Sequence, residues 1–177
     1  MLQSWFRKPP EKAFARDIYD QLVRQARSPD LYEHAGIPDT IEGRFEAIIL
    51  HASLVFHRLR ALGERADVLR QSVFDTMFDD FDAAMRELGV GDSGVGKKIR
   101  FMAEGFYGRA QVYVDAIQGE DDAALNQALA RNVLGGDTPA AEAVPLALYV
   151  KRYSEFLENQ DDEALLTGEL AAMPTQL

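Results

Sequence analysis

The chain has 177 residues, 47% of them hydrophobic, a formal charge of −10 and no cysteine. A chain of this length suits one core that buries roughly 70% of the unfolded surface. The missing cysteine excludes disulfides, thiolate metal sites, iron–sulfur clusters and cysteine nucleophiles, and points to a reducing compartment.

The charge is uneven. Residues 1–109 carry 16 Lys and Arg against 17 Asp and Glu, whereas residues 110–177 carry 3 against 12. The acidic end repels phosphates, so no direct nucleic-acid contact is expected. No apolar run approaches the roughly 18–20 residues that span a bilayer, and Arg7-Lys8-Pro9-Pro10 is not followed by a signal-peptide core. A soluble, unexported cytoplasmic protein is expected, with residues 1–10 a flexible N-terminus in which Trp5 and Phe6 give at best a weak membrane anchor.

Helix signals dominate, and nothing alternates with period two over a useful length. The expected fold is all-α, a single-domain bundle of about six to eight helices over residues 11–172, followed by a disordered tail at 173–177. A first helix runs from Glu11 to Arg27, with Phe14, Ile18, Leu22 and Ala26 on one face, and stops at Ser28-Pro29. A short turn or helix at Leu31–Ala35 ends on Gly36. Asp39 then opens the next helix as its cap, with Glu42 reaching back from three positions on.

That helix, Ile41 to Leu62, sets Phe45, Ile48, Ile49, Ala52, Val55, Phe56 and Leu59 on one stripe and Ala47, Leu50 and Leu54 on another, so it is contacted from two directions. Gly63 ends it. The following helix, Arg65 to Leu88, turns Leu69, Val73, Phe74, Met77, Phe78, Phe81, Met85 and Leu88 inward and stops at Gly89. After a glycine segment, a helix from Gly96 to Ile117 repeats Ile99, Met102, Phe106, Ala110, Tyr113 and Ile117 as a packing stripe. Helices at Asp121–Leu134 and Ala140–Glu158 and a short one from Asp161-Asp162-Glu163 complete the chain.

The glycine segment imitates a nucleotide-binding loop, since Gly91 to Lys97 matches Gly-x-x-x-x-Gly-Lys. Lys98 stands where the magnesium-ligating Ser or Thr belongs, and a helix rather than a strand precedes it. A nucleotide-dependent enzyme using Lys97 is therefore only the alternative. The preferred reading makes Gly89, Gly91, Gly94 and Gly96 structural, supplying left-handed turns and close backbone approach between two helices. Lys97 and Lys98 then open the second helix, where its dipole disfavours cations, with Asp79, Asp80 and Asp82 as candidate partners.

Asp75, Asp79 and Asp82 share a helical face, but no Glu-x-x-His accompanies them, which makes a solvated acidic surface the better reading than a metal site. His51 and His57 point about 240° apart around one helix, and no Ser or Cys lies in a nucleophile motif, so no catalytic residue and no cofactor are expected. The unusual feature is Phe101, Gly105 and Gly108 within one narrow sector of the Gly96–Ile117 helix, with Lys98 nearby and Arg109 at its border. Each helical glycine costs roughly 1 kcal/mol against alanine, so something packs closely there, either a helix of the same domain or one of a partner.

Ile37-Pro38-Asp39-Thr40-Ile41-Glu42-Gly43-Arg44-Phe45, then Phe78-Asp79-Asp80-Phe81-Asp82 with Arg86-Glu87-Leu88-Gly89-Val90-Gly91-Asp92, then Val95-Gly96-Lys97-Lys98 and Met102-Ala103-Glu104-Gly105-Phe106-Tyr107-Gly108-Arg109, together resemble the ubiquinol-cytochrome c chaperone family. The resemblance spans about Tyr19 to Val150. It implies an all-helical, non-enzymatic assembly factor of the bc1 complex, here of bacterial type, that binds newly made cytochrome b or other bc1 subunits. Mitochondrial members act with a small helper protein near the ribosomal exit. Carried onto matching positions, the partner surface comprises Arg44, Asp82, Lys97, Lys98, Phe101, Phe106, Tyr107 and Arg109, close to the inner membrane. A scaffold that oligomerises through the glycine-lined face is the other alternative.

Overall fold

The third helix organises the molecule because it has no solvated side in its middle. The computed structural model describes residues 10–174, and its main helices are α1 (Pro10–Ala26), α2 (Pro29–Glu33), α3 (Ile41–Ala61), α4 (Asp67–Glu87), α5 (Asp92–Gln118), α6 (Asp122–Leu129), α7 (Val144–Glu158) and α8 (Asp162–Leu166). Short 3₁₀ segments precede α4 and α7, and a π-helical turn, Ala130–Leu134, continues α6. The described residues contain no strand. The expectations for residues 1–9 and 175–177 lie outside the described residues.

Every residue from Ala47 to Phe56 on α3 is buried, and α1, α4, α5 and α7 pack around it. Both apolar strips read from the sequence therefore face protein. Burying a large aliphatic side chain such as Ile49, Leu50 or Leu59 stabilises the fold by about 1.5–3 kcal/mol. Aromatic rings link the helices: Phe56 meets Phe106 at 5.2 Å between centroids, Phe74 meets Phe106 at 5.7 Å, and Phe45 meets Phe81 edge-on at 4.8 Å.

The start of α3 differs from expectation. Thr40, not Asp39, is the cap: it has extended backbone and its hydroxyl accepts from the Gly43 amide at 3.0 Å. Asp39 instead accepts from Arg44 Nε at 2.7 Å, which pulls its carboxyl pKa down. Pro38 explains Gly43. A methyl at Gly43 would lie 2.0 Å from the Pro38 carbonyl oxygen, so the incoming strand of backbone rests directly on the helix.

Arg58 closes the opposite end of α3. Its guanidinium is buried and donates to the Leu157 and Gln160 carbonyls, both at 2.9 Å, and to Asp162. It thereby satisfies free carbonyls at the end of α7 and complements that helix dipole. Met173, assigned to the tail from sequence, is held in place: its amide donates to Gln25 Oε1 and its carbonyl accepts from Gln25 Nε2, each at 3.1 Å.

Between α4 and α5, only Gly89 takes the left-handed turn (φ 80°). The Gly89 amide donates to Arg86 and the Val90 amide to Met85, the paired bonds of a Schellman ending. Leu88, read as inward, is 53% exposed because it lies beyond the last packed turn. Helix α5 starts at Asp92, four residues before the expected Gly96, and Gly91 is its extended N-cap. Buried Val95 anchors the first turn, and Asp92 suits the positive helix end, so packing and dipole together outweigh two glycines. Gly91, Gly94 and Gly96 supply no left-handed turn, contrary to the sequence reading.

Candidate functional site

Once α5 begins at Asp92, its 3.6-residue period settles which side chains share a face. The inner stripe holds Val95, Phe106 and Tyr113 buried, with Ile99, Met102 and Ile117 partly so. The outer side presents Phe101, 69% exposed, then Gly105, Gly108 and Val112 at successive turns. No heavy atom lies within 4 Å of a methyl built at Gly108, and at Gly105 the nearest is Arg109 Nε at 4.0 Å. Among the described residues no other helix comes within 4 Å of either position, which favours the partner over the same-domain helix as the explanation for the glycines.

Lys97 and Lys98 are exposed on the same half of α5 and take part in no ion pair among the described residues. They stand about one and a half turns into the helix, not at its opening. Two of the three carboxylates proposed as their partners, Asp80 and Asp82, are engaged elsewhere. Asp82 accepts from Arg86 Nε at 2.5 Å, and the same guanidinium reaches Asp92, so Arg86 stitches the end of α4 to the start of α5. Asp80 accepts the Tyr19 hydroxyl at 2.8 Å.

The remaining candidates do not form one site. Phe106 is fully buried, so it supports the surface from below and offers a partner no contact of its own. Tyr107 is 58% exposed and stacks on Phe74 at 5.6 Å and 14°. It stands at the lip of a groove between α3, α4 and α5 with a volume of about 690 Å³. Arg109 is half-buried and donates to both oxygens of Glu46 at 2.6 Å, tying α5 to α3. Burial raises the Glu46 carboxyl pKa, and the Arg109 charge pulls it partly back. Arg44 lies apart, beside Tyr32 and Arg27 near α2.

The nucleotide-loop alternative fails on backbone geometry. The Val95 amide already donates to the Gly91 carbonyl at 3.0 Å as helical structure begins, and α4 rather than a strand leads into the segment. A phosphate cradle needs amides that are free to converge. His51 is structural: its Nδ1–H donates to the Ala47 carbonyl, and its Nε2 accepts the Tyr149 hydroxyl, each at 2.7 Å. Burial lowers its pKa to about 4 and keeps it neutral. Among the described residues no group of three or more His, Asp or Glu is arranged to hold a metal ion, and no helix is long and apolar enough to cross a membrane.

Sequence reasoning missed Val112, which extends the outer apolar strip and lies at the same helical angle as Phe101, eleven residues on. It also missed Glu46 as the partner of Arg109, and the groove itself. Neither has a local signal, because each joins helices 63 residues apart or more loosely placed in sequence.

Comparison with known proteins agrees with this architecture. A family model described as ubiquinol-cytochrome C chaperone matches residues 33–172. A ubiquinol-cytochrome-c reductase complex assembly factor 1 from Xenopus laevis is 27% identical over 92% of this chain and 82% of its own length. The assembly factors of the same name from mouse and human are each 24% identical over 92% of this chain, which spans about half of their length (56% and 55%). The crystal structure of the Cbp3 homolog from Brucella abortus superposes with a TM-score of 0.83 at 34% identity, covering 93% of this chain and 91% of that one. The all-α bundle and these matches lead to one conclusion: the chain belongs to the ubiquinol-cytochrome c chaperone family.

Proposed function

We propose that the protein is a non-enzymatic assembly chaperone of the bc1 complex that binds cytochrome b during biogenesis through the outer face of α5. The observation that carries this reading is Phe101, 69% exposed beside two glycines at which, among the described residues, a methyl would meet at most Arg109 Nε, on a helix inside the range that the family model matches. An apolar helix laid along Gly105 and Gly108 reaches the α5 backbone closely. Phe101 and Val112 give it apolar contact, and Lys97 and Lys98 meet anionic groups that flank a membrane segment. This work needs binding energy alone, with no catalytic group and no cofactor. Its place is the cytoplasmic face of the inner membrane, where a small helper protein and other bc1 subunits are further partners.

The test is capture of the tagged protein from solubilised membranes, with cytochrome b detected by immunoblot. The wild type is expected to retain cytochrome b. Phe101→Asp and the paired Lys97→Glu, Lys98→Glu exchange should lose it with unchanged helicity and melting. Absence of cytochrome b from the wild-type capture overturns the client, whereas full retention by Phe101→Asp overturns the α5 face.

A further inference from the structure

The segment that follows α8 is tied to the core by a line of hydrogen bonds whose direction is set at both ends by backbone groups. From Glu169 to Met173 the chain is neither helix nor strand. Leu170 is buried and Met173 partly buried, while Ala171 and Ala172 are exposed. Two side-chain amides fix it: the Ala171 amide donates to Gln160 Oε1 at 2.9 Å, and Met173 exchanges two bonds of 3.1 Å with Gln25. A surface segment held in this way, with few buried apolar contacts, belongs to the part of a structure that opens first.

At Met173 the backbone dictates how the Gln25 carboxamide sits, because the amide N–H needs Oε1 and the carbonyl needs Nε2. Gln25 Nε2 also donates to the Tyr149 hydroxyl oxygen at 3.1 Å. At the far end the Ala47 carbonyl can only accept, so His51 Nδ1 carries the proton and Nε2 accepts from Tyr149, each at 2.7 Å. The line therefore runs one way, with the Tyr149 hydroxyl receiving from Gln25 and giving to His51. A proton on His51 Nε2 reverses that last bond. The Tyr149 hydrogen then loses its acceptor unless the Gln25 carboxamide turns over to offer Oε1, and a turned carboxamide sets Nε2 against the Met173 amide, donor against donor.

We propose that Glu169–Met173 is a releasable strap latched by the polarity of this line, so that a proton taken up by His51 inside the bundle frees Met173 at its surface while the helices stay packed. The ring faces Tyr149 and Tyr153 of α7, at 5.6 and 5.1 Å between centroids, whose hydroxyl pKa values burial pushes up. Charged groups on the surrounding elements act on other residues: Arg152 on Tyr149, Arg131 of the π turn on Tyr113, Asp80 of α4 on Tyr19, while Glu46 and Arg109 are bonded to each other. Burial lowers the His51 pKa to about 4 and the Ala47 carbonyl pulls it partly back, so the strap is closed at neutral pH and opens as the pH falls towards that value. Protonation and release are linked reciprocally, so loosening the strap raises the pH at which His51 titrates. The device is independent of the α5 face and its client.

The test is NMR of the full chain labelled at the methionine methyls, with the His51 ring followed in the same samples. Expected is a Met173 methyl that moves to the shift of a solvated methionine with the midpoint of the His51 titration, while buried Met77 and Met85 keep their folded shifts. Met173→Gly keeps the backbone groups but removes the apolar anchor, and should raise the His51 midpoint by about half a pH unit or more. His51→Gln, which offers an acceptor that does not titrate, should abolish the acid step at Met173. Tyr149→Phe, a milder exchange that removes the transmitting hydroxyl, should leave Met173 seated while His51 titrates; circular dichroism checks that each variant is folded. A Met173 methyl that stays seated through the His51 titration, or that moves together with Met77 and Met85, overturns the proposal. So does an unchanged His51 midpoint in Met173→Gly, or release that persists in Tyr149→Phe.

Discussion

Replacing Gly105 and Gly108 by alanine should make the protein more stable. In a helix interior glycine is about 1 kcal/mol less favourable than alanine, because it loses more backbone freedom on folding. That gain is normally cancelled where a methyl has no room. Here a methyl at Gly108 meets nothing within 4 Å, and one at Gly105 meets only Arg109 Nε at 4.0 Å, ordinary contact. The double variant should therefore gain about 2 kcal/mol, which for a domain of this size raises the melting temperature by about 4–8 °C. Urea unfolding followed by circular dichroism, with the midpoint compared at constant slope, measures it. A lowered midpoint would mean that the α5 outer face is packed within the chain, and the partner-surface reasoning would fall. If that reasoning holds, the stabilised variant binds its client more weakly, since two methyls lift the incoming helix off the α5 backbone.

Three further perturbations probe the frame. Gly43→Ala should destabilise the protein by about 2–4 kcal/mol, because its methyl would meet the Pro38 carbonyl oxygen at 2.0 Å and force the α3 entry to move; chemical denaturation checks it. Arg109→Met should cost about 2 kcal/mol at neutral pH by stranding the half-buried Glu46 carboxylate, whose pKa then rises further, so the loss should shrink as acid protonates Glu46. His51, held at a pKa of about 4 against 6.5 when unfolded, binds a proton later in the fold than in the open chain, so stability should decline by up to about 3 kcal/mol as pH falls from 6.5 towards 4. A ring that titrates near 6.5 by NMR would refute that last expectation.

Much of the fold was legible because helix signals are local. The double apolar stripe of α3, the stop at Gly89 and the helix starts at Asp121 and Asp161 all rest on residues within one or two turns of each other, although the capping role of those two aspartates appears only in the structure. Errors arose where tertiary contact outweighed local preference. Val95 extends α5 across Gly94 and Gly96 by entering the core, and Thr40 takes the cap because Arg44 occupies Asp39. The surface was half legible: Phe101 and the glycines follow from helical angle alone, whereas the fixing of Arg109 by Glu46 and the groove beside Tyr107 depend on how α3, α4 and α5 meet.

The division of labour within α5 ties these threads together. Its inner face contributes Val95, Phe106 and Tyr113 to the core, so the helix cannot leave the bundle without exposing them. Its outer face carries two glycines that cost about 2 kcal/mol, a noticeable share of the 5–15 kcal/mol by which such domains are stable. Among the described residues no contact at these two positions offsets that cost, which directs attention to a partner. A client helix and a second copy of the chain could both fill this role, and they differ in an observable way. Self-association through Gly105 and Gly108 makes the molecular mass from light scattering rise with concentration and collapse to the monomer value in Phe101→Asp. A chaperone surface held open for cytochrome b leaves the isolated protein monomeric at every concentration, with the glycine face covered only when the client is present.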